Sequence, residues 1–146
     1  MTSGLELHDP AMGRCLRYRA TLGLPVVVMP ALGRIILYSG PVGGLVVPAR
    51  VAGLVQAVLT AHGRPGPVIA HPRSGSCTIL TGPADGYEYV VADVLLRLNA
   101  GAASDWIVLP SPTDERSGYR RWNMDPHNGF HLEMREVFAI PLELAA

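Results

Sequence analysis

Hydrophobic positions fall into short blocks along the chain, and the spacing within each block names an element. The clearest is Val51, Leu54, Val55, Val58 and Leu59, at i, i+3, i+4, i+7 and i+8. That spacing predicts one apolar helix face, with Gly63 placed to cap its C-terminal end. An earlier helix is expected from Asp9-Pro10, an N-cap acid followed by proline, to about Ala20. It would present Met12, Cys15 and Leu16 on one face, and Gly23 and Pro25 would stop it. Runs of β-branched and apolar residues predict strands at Val26–Met29, Arg34–Tyr38, Leu45–Val47, Pro67–Ala70, Cys77–Leu80, Trp106–Leu109 and Tyr119–Met124. Two further helices are expected at Tyr87–Asn99 and His131–Phe138. Pro110–Gly118 reads as a polar, proline-rich loop, with Asp114, Glu115 and Arg116 at its exposed tip.

This order predicts an α/β (α+β) domain. A mixed, mainly antiparallel sheet of six to seven short strands would be covered by three to four helices. The chain has 146 residues, 49% of them hydrophobic, without repeat or linker. One domain over 1–146 is expected, with enough apolar side chain for its own core.

Charge narrows the functional classes little. Twelve acidic residues balance twelve basic ones, so no general attraction to nucleic acid or anionic membrane follows. All twelve basic residues are arginine, which reads as GC-rich coding. Two cysteines, Cys15 and Cys77, make neither a disulfide framework nor a zinc ribbon. They read as reduced core residues of a cytoplasmic protein. The start MTSGLELHDP lacks the basic-then-apolar pattern of a signal peptide, and no apolar run approaches a membrane span.

Three segments carry a resemblance. Gly44–Arg50 (GLVVPAR) is a strand leading into a helix. Pro72–Leu80 (PRSGSCTIL) is a small, glycine-rich turn followed by a strand. Ile107–Ser111 (IVLPS), then Ser117–Trp122 (SGYRRW), is a strand, Pro-Ser, polar loop, Gly and aromatic strand. In this order they resemble the actinobacterial and viral primase-polymerase family of the archaeo-eukaryotic primase class. The resemblance implies that family's fold. It also exposes departures. Where the family carries an Asp-x-Asp pair, Pro48 and Arg50 stand here, and where it carries a histidine, Cys77 or Thr78 stands. A further family acid has no counterpart in Leu98–Ala103, and the histidine after the family's Pro-Pro-Ser is replaced near Thr113 and Asp114. Nucleotide polymerisation uses such carboxylates to hold two divalent cations. Proline offers no ligand, and arginine repels a cation. The resemblance thus implies a catalytically inactive primase-polymerase-like domain acting as a regulatory module or as one that binds a nucleotide or nucleic acid in the old cleft.

The expected ligand-binding residues are Arg73, Ser74, Ser76, Ser111, Tyr119, Arg120 and Arg121. Guanidinium groups beside an aromatic ring grip phosphates and stack bases. If Tyr119–Met124 is all strand, Tyr119 and Arg121 share one face, and Arg120 shares the other with a core Trp122. His71, Cys77 and Asp105 are candidates for new chemistry in the cleft, in which case the protein would be a small enzyme. His127, His131 and Glu133 are candidate metal ligands, set against a turn at Asn128-Gly129 that would leave the two histidines solvated. Ser74 and Ser76 do not lie in a G-x-S-x-G elbow, and the turn lacks the Gly-Lys-Ser/Thr of a phosphate loop. No cofactor is expected. A third reading makes the chain a protein-interaction module, a homodimer with the cleft filled.

Overall fold

A computed structural model describes residues 10–29, 31–38, 43–61, 63, 66–81, 101–102 and 106–124. The expected helices at 87–99 and 131–138 lie outside the described residues, as do Asp105, His127, His131 and Glu133.

The described elements run α1 (Pro10–Leu22), β1 (Val26–Met29), β2 (Arg34–Tyr38), β3 (Gly43–Pro48), α2 (Ala49–Ala61), β4 (Val68–His71), β5 (Ser76–Thr81), β6 (Gly101–Ala102), β7 (Trp106–Leu109), α3 (Pro112–Ser117) and β8 (Arg121–Met124). The α+β class holds. The strands divide into two sheets, with orders β1-β2-β7 and β6-β3-β5-β4-β8. Every pairing between described strands is antiparallel.

Register decides which side chains meet. Val46, Thr78, Ile69 and Trp122 are successive cross-strand partners, as are Pro48, Ser76 and His71. Partners across an antiparallel pair point to the same face, and residues two apart share it. That face carries Ile69, Leu80 and Trp122 against Val26, Ile35, Leu37, Ile107 and Leu109 of the smaller sheet. The opposite face takes α2, which buries Val51, Ala52, Val55 and Leu59. The expected apolar stripe of α2 is thus largely realised, although Leu54 stays exposed.

Helix α1 turns a different stripe inward. Ala11, Cys15 and Tyr18 are buried, whereas Met12 and Leu16 are exposed. The buried face therefore follows Tyr18, at i+3 from Cys15, rather than Leu16. Gly23, at φ 64°, ends the helix in the left-handed region, and the Leu24 amide returns to the Tyr18 carbonyl at 3.3 Å. Among the described residues, no helix is long and apolar enough to cross a membrane.

The expected loop at Pro110–Gly118 contains a helix. Ser111 caps α3: its Oγ accepts from the Asp114 amide at 3.1 Å, and Pro112 opens the first turn. Gly118, at φ 78°, closes the helix. Asp114 is not at an exposed tip but buried.

Candidate functional site

A cleft of about 510 Å³ lies between the two sheets. The β4–β5 hairpin forms one wall, β7 a second, and the segment from α3 to β8 closes one end. The hairpin folds this way because Gly75 takes φ 72° and its amide returns to the His71 carbonyl at 3.0 Å. The turn 72–75 thereby aligns His71 with Ser76 across the pair.

Six of the residues singled out in the sequence line this one cleft: His71, Arg73, Ser74, Ser76, Tyr119 and Arg120. Three do not reach it: Ser111, Arg121 and Cys77. Ser111 is buried as the cap of α3. Arg121 begins β8 on the opposite face, where it lines a smaller hollow of about 190 Å³ with Cys77. Thr78 stands beside Cys77 but on the cleft face. Burial pushes the Cys77 thiol up, more than the nearby Arg121 charge pulls it down. A thiol held protonated in that way is a poor nucleophile.

Inside the cleft the polar groups form a connected set. His71 Nε2 and Thr78 Oγ1 are 2.7 Å apart. The Ser74 and Ser76 hydroxyls are 2.8 Å apart, and Ser74 Oγ also donates to the His71 carbonyl at 3.2 Å. Arg120 Nη1 donates to Asp114 Oδ2 at 3.3 Å, while its Nε is buried and makes no hydrogen bond. Arg73 stacks its guanidinium 4.0 Å above the Tyr119 ring and donates from Nη2 to the Ser117 carbonyl at 3.0 Å. Trp106 and Tyr119 are 51% and 44% exposed, so both retain ring surface for a ligand.

Among the described residues, none that lines the cleft is a carboxylate. Among the described residues, no group of three His, Cys, Asp or Glu side chains converges as metal ligands would. Pro48 ends β3 beside Ser76, and Arg50 is exposed in the first turn of α2. The positions where the resemblance expects an acidic pair therefore offer no negative charge. No family model, curated protein or solved structure matches the chain.

Sequence reasoning missed Trp106, read only as the first residue of a strand, and Val46. It also missed Asp114, which orients Arg120. The period-2 pattern of β5 was the available signal for Thr78, two residues after Ser76 on the same face.

Burial, and second the Arg120 charge, hold the His71 imidazole below its ordinary value of 6.5. A base whose folded value is depressed binds more protons when unfolded. Stability is then fully present above about pH 6.5 and falls as pH drops toward the folded value. His71→Gln removes this titration, so its unfolding midpoint in urea should fall less steeply than wild type between pH 7 and pH 5. Parallel curves for the two proteins would refute the assignment.

Proposed function

We propose that the chain is a primase-polymerase-like domain that binds a nucleotide in the inter-sheet cleft without metal-dependent polymerisation. One observation carries this reading. Arg73, Arg120 and His71 share a cleft with three hydroxyls and two exposed aromatic rings, and among the described residues no carboxylate lines it. Guanidinium and hydroxyl donors suit the oxygens of a phosphate. Trp106, and the free side of the Arg73–Tyr119 stack, suit the flat face of a base. A space of this size falls in the range that small ligands occupy.

Polymerisation would need carboxylates to hold two cations against the triphosphate. Three basic groups replace them in this cleft. Anion binding therefore needs no divalent ion, and chelation of the nucleotide by magnesium competes with the arginines. The rival reading is a homodimerising module with its cleft filled.

Nucleoside mono- and triphosphates should bind saturably in EDTA, quench Trp106 fluorescence and raise Tm. Added magnesium should weaken triphosphate binding. Two results would overturn the proposal. One is no saturable binding of any nucleotide. The other is magnesium- or manganese-dependent extension of a primed template.

A further inference from the structure

The hairpin end of the cleft holds charge in an unusual balance. Arg120 spends one donor on one carboxylate oxygen of Asp114, and its buried Nε makes no hydrogen bond. A buried donor left unmet is uncommon. The guanidinium is therefore only partly neutralised, and its field reaches His71, whose protonation it opposes. Arg73 adds positive charge from the same hairpin. On the far side, His71 also lines the smaller hollow with Arg121 and the protonated Cys77. Every charged side chain facing His71 among the described residues is thus cationic. The Asp114 carboxylate is engaged with Arg120.

We propose that this end of the cleft is an oxyanion subsite for the phosphoryl group of a phosphate monoester, and that binding is coupled to uptake of one proton by His71. The choice of phosphate monoester rests on the nucleotide reading above, whereas the coupling rests on the charges alone. An entering anion offsets the Arg120 charge, removing the repulsion that adds to burial in opposing protonation of the imidazole. The proton comes from solvent, and no bond of the ligand breaks. Thr78 supplies the link. With His71 protonated, Nε2–H donates to Thr78 Oγ1 across the 2.7 Å contact. The Thr78 hydroxyl hydrogen is then free to turn toward the anion.

Sulfate is a suitable probe because it does not titrate between pH 5 and 8. At constant ionic strength, NMR titration should show the His71 midpoint moving up when sulfate replaces chloride. Sulfate affinity should rise by up to about tenfold per unit fall in pH within the coupled window. His71→Gln, checked for folding by circular dichroism, should make that affinity independent of pH. The wild-type NMR midpoint is decisive even if the variant does not fold. Nucleotide or sulfate binding with an unmoved His71 midpoint overturns the coupling and leaves nucleotide binding standing. A sulfate-induced shift without nucleotide binding keeps the proton-coupled oxyanion site and removes the nucleotide. No binding of either anion overturns both.

Discussion

Arg120→Met should weaken binding of sulfate or a nucleoside monophosphate by about 10- to 100-fold. The figure follows from losing one charge-assisted contact, worth about 1.5–3 kcal/mol. The variant also strands Asp114, whose side chain is 7% exposed, without its cation. An uncompensated buried carboxylate is destabilising in itself. The affinity loss should therefore be measured in the double variant Arg120→Met with Asp114→Asn, which removes both charges. Arg120→Lys should fall between wild type and methionine, because the charge survives but the planar fork of donors does not. Asp114→Asn alone should keep most of the affinity, since the main chain still holds the segment through the Tyr119 and Arg120 amides on the Asp114 carbonyl, at 3.0 and 3.5 Å. A folded double variant that binds within twofold of wild type would remove Arg120 from the site.

What could be read in advance depended on how local the signal was. Helix α2 announced itself because Val51, Val55 and Leu59 repeat on one face with no tertiary help. The β4–β5 hairpin was legible through Pro72, Gly75 and the small residues between His71 and Cys77. Helix α3 was missed because six residues are too few for an apolar period. Its signals, Ser111 before Pro112 and Gly118 at the end, were present in the sequence and were read as loop. Burial of Asp114 was not legible, since its partner Arg120 lies beyond the helix and meets it only after the chain turns at Gly118.

The cleft itself shows the same division. Strand alternation separated Arg121 from Trp122 correctly, with Trp122 toward the core and Arg121 on the far face. It failed for Tyr119, which lines the cleft alongside Arg120. Strand geometry begins only at Arg121, because the two preceding amides are held by the Asp114 carbonyl. The side chains facing the cleft from β3 and β5 follow from the register Val46–Thr78. Pairing register is a property of two distant segments, and neither segment states it alone.

A large stability effect is expected from Tyr18→Phe, at about 2–4 kcal/mol. Tyr18 is 3% exposed. Burial pushes its phenol above the ordinary range, so the hydroxyl stays protonated and donates. It donates to the Pro110 carbonyl at 2.6 Å and accepts from Trp122 Nε1 at 2.9 Å, while the two rings meet edge to face at 6.0 Å. Phenylalanine keeps the ring contact and removes only the oxygen. The Pro110 carbonyl and the indole N–H then lose a partner together, at about 1–3 kcal/mol each when water cannot replace it. Trp122 is only half-buried, so its share sits at the low end. Against a total of about 5–15 kcal/mol for a domain, the loss is a large fraction. It should appear as a lower urea midpoint at unchanged m. The hydroxyl also fixes both ends of the segment from Pro110 to Trp122, which carries α3, Tyr119 and Arg120. Tyr18→Phe should therefore weaken sulfate binding as well, although residue 18 does not line the cleft. A midpoint shift worth less than about 0.5 kcal/mol, the scale of an ordinary surface substitution, would mean that the hydroxyl does not hold the two sheets and α1 together.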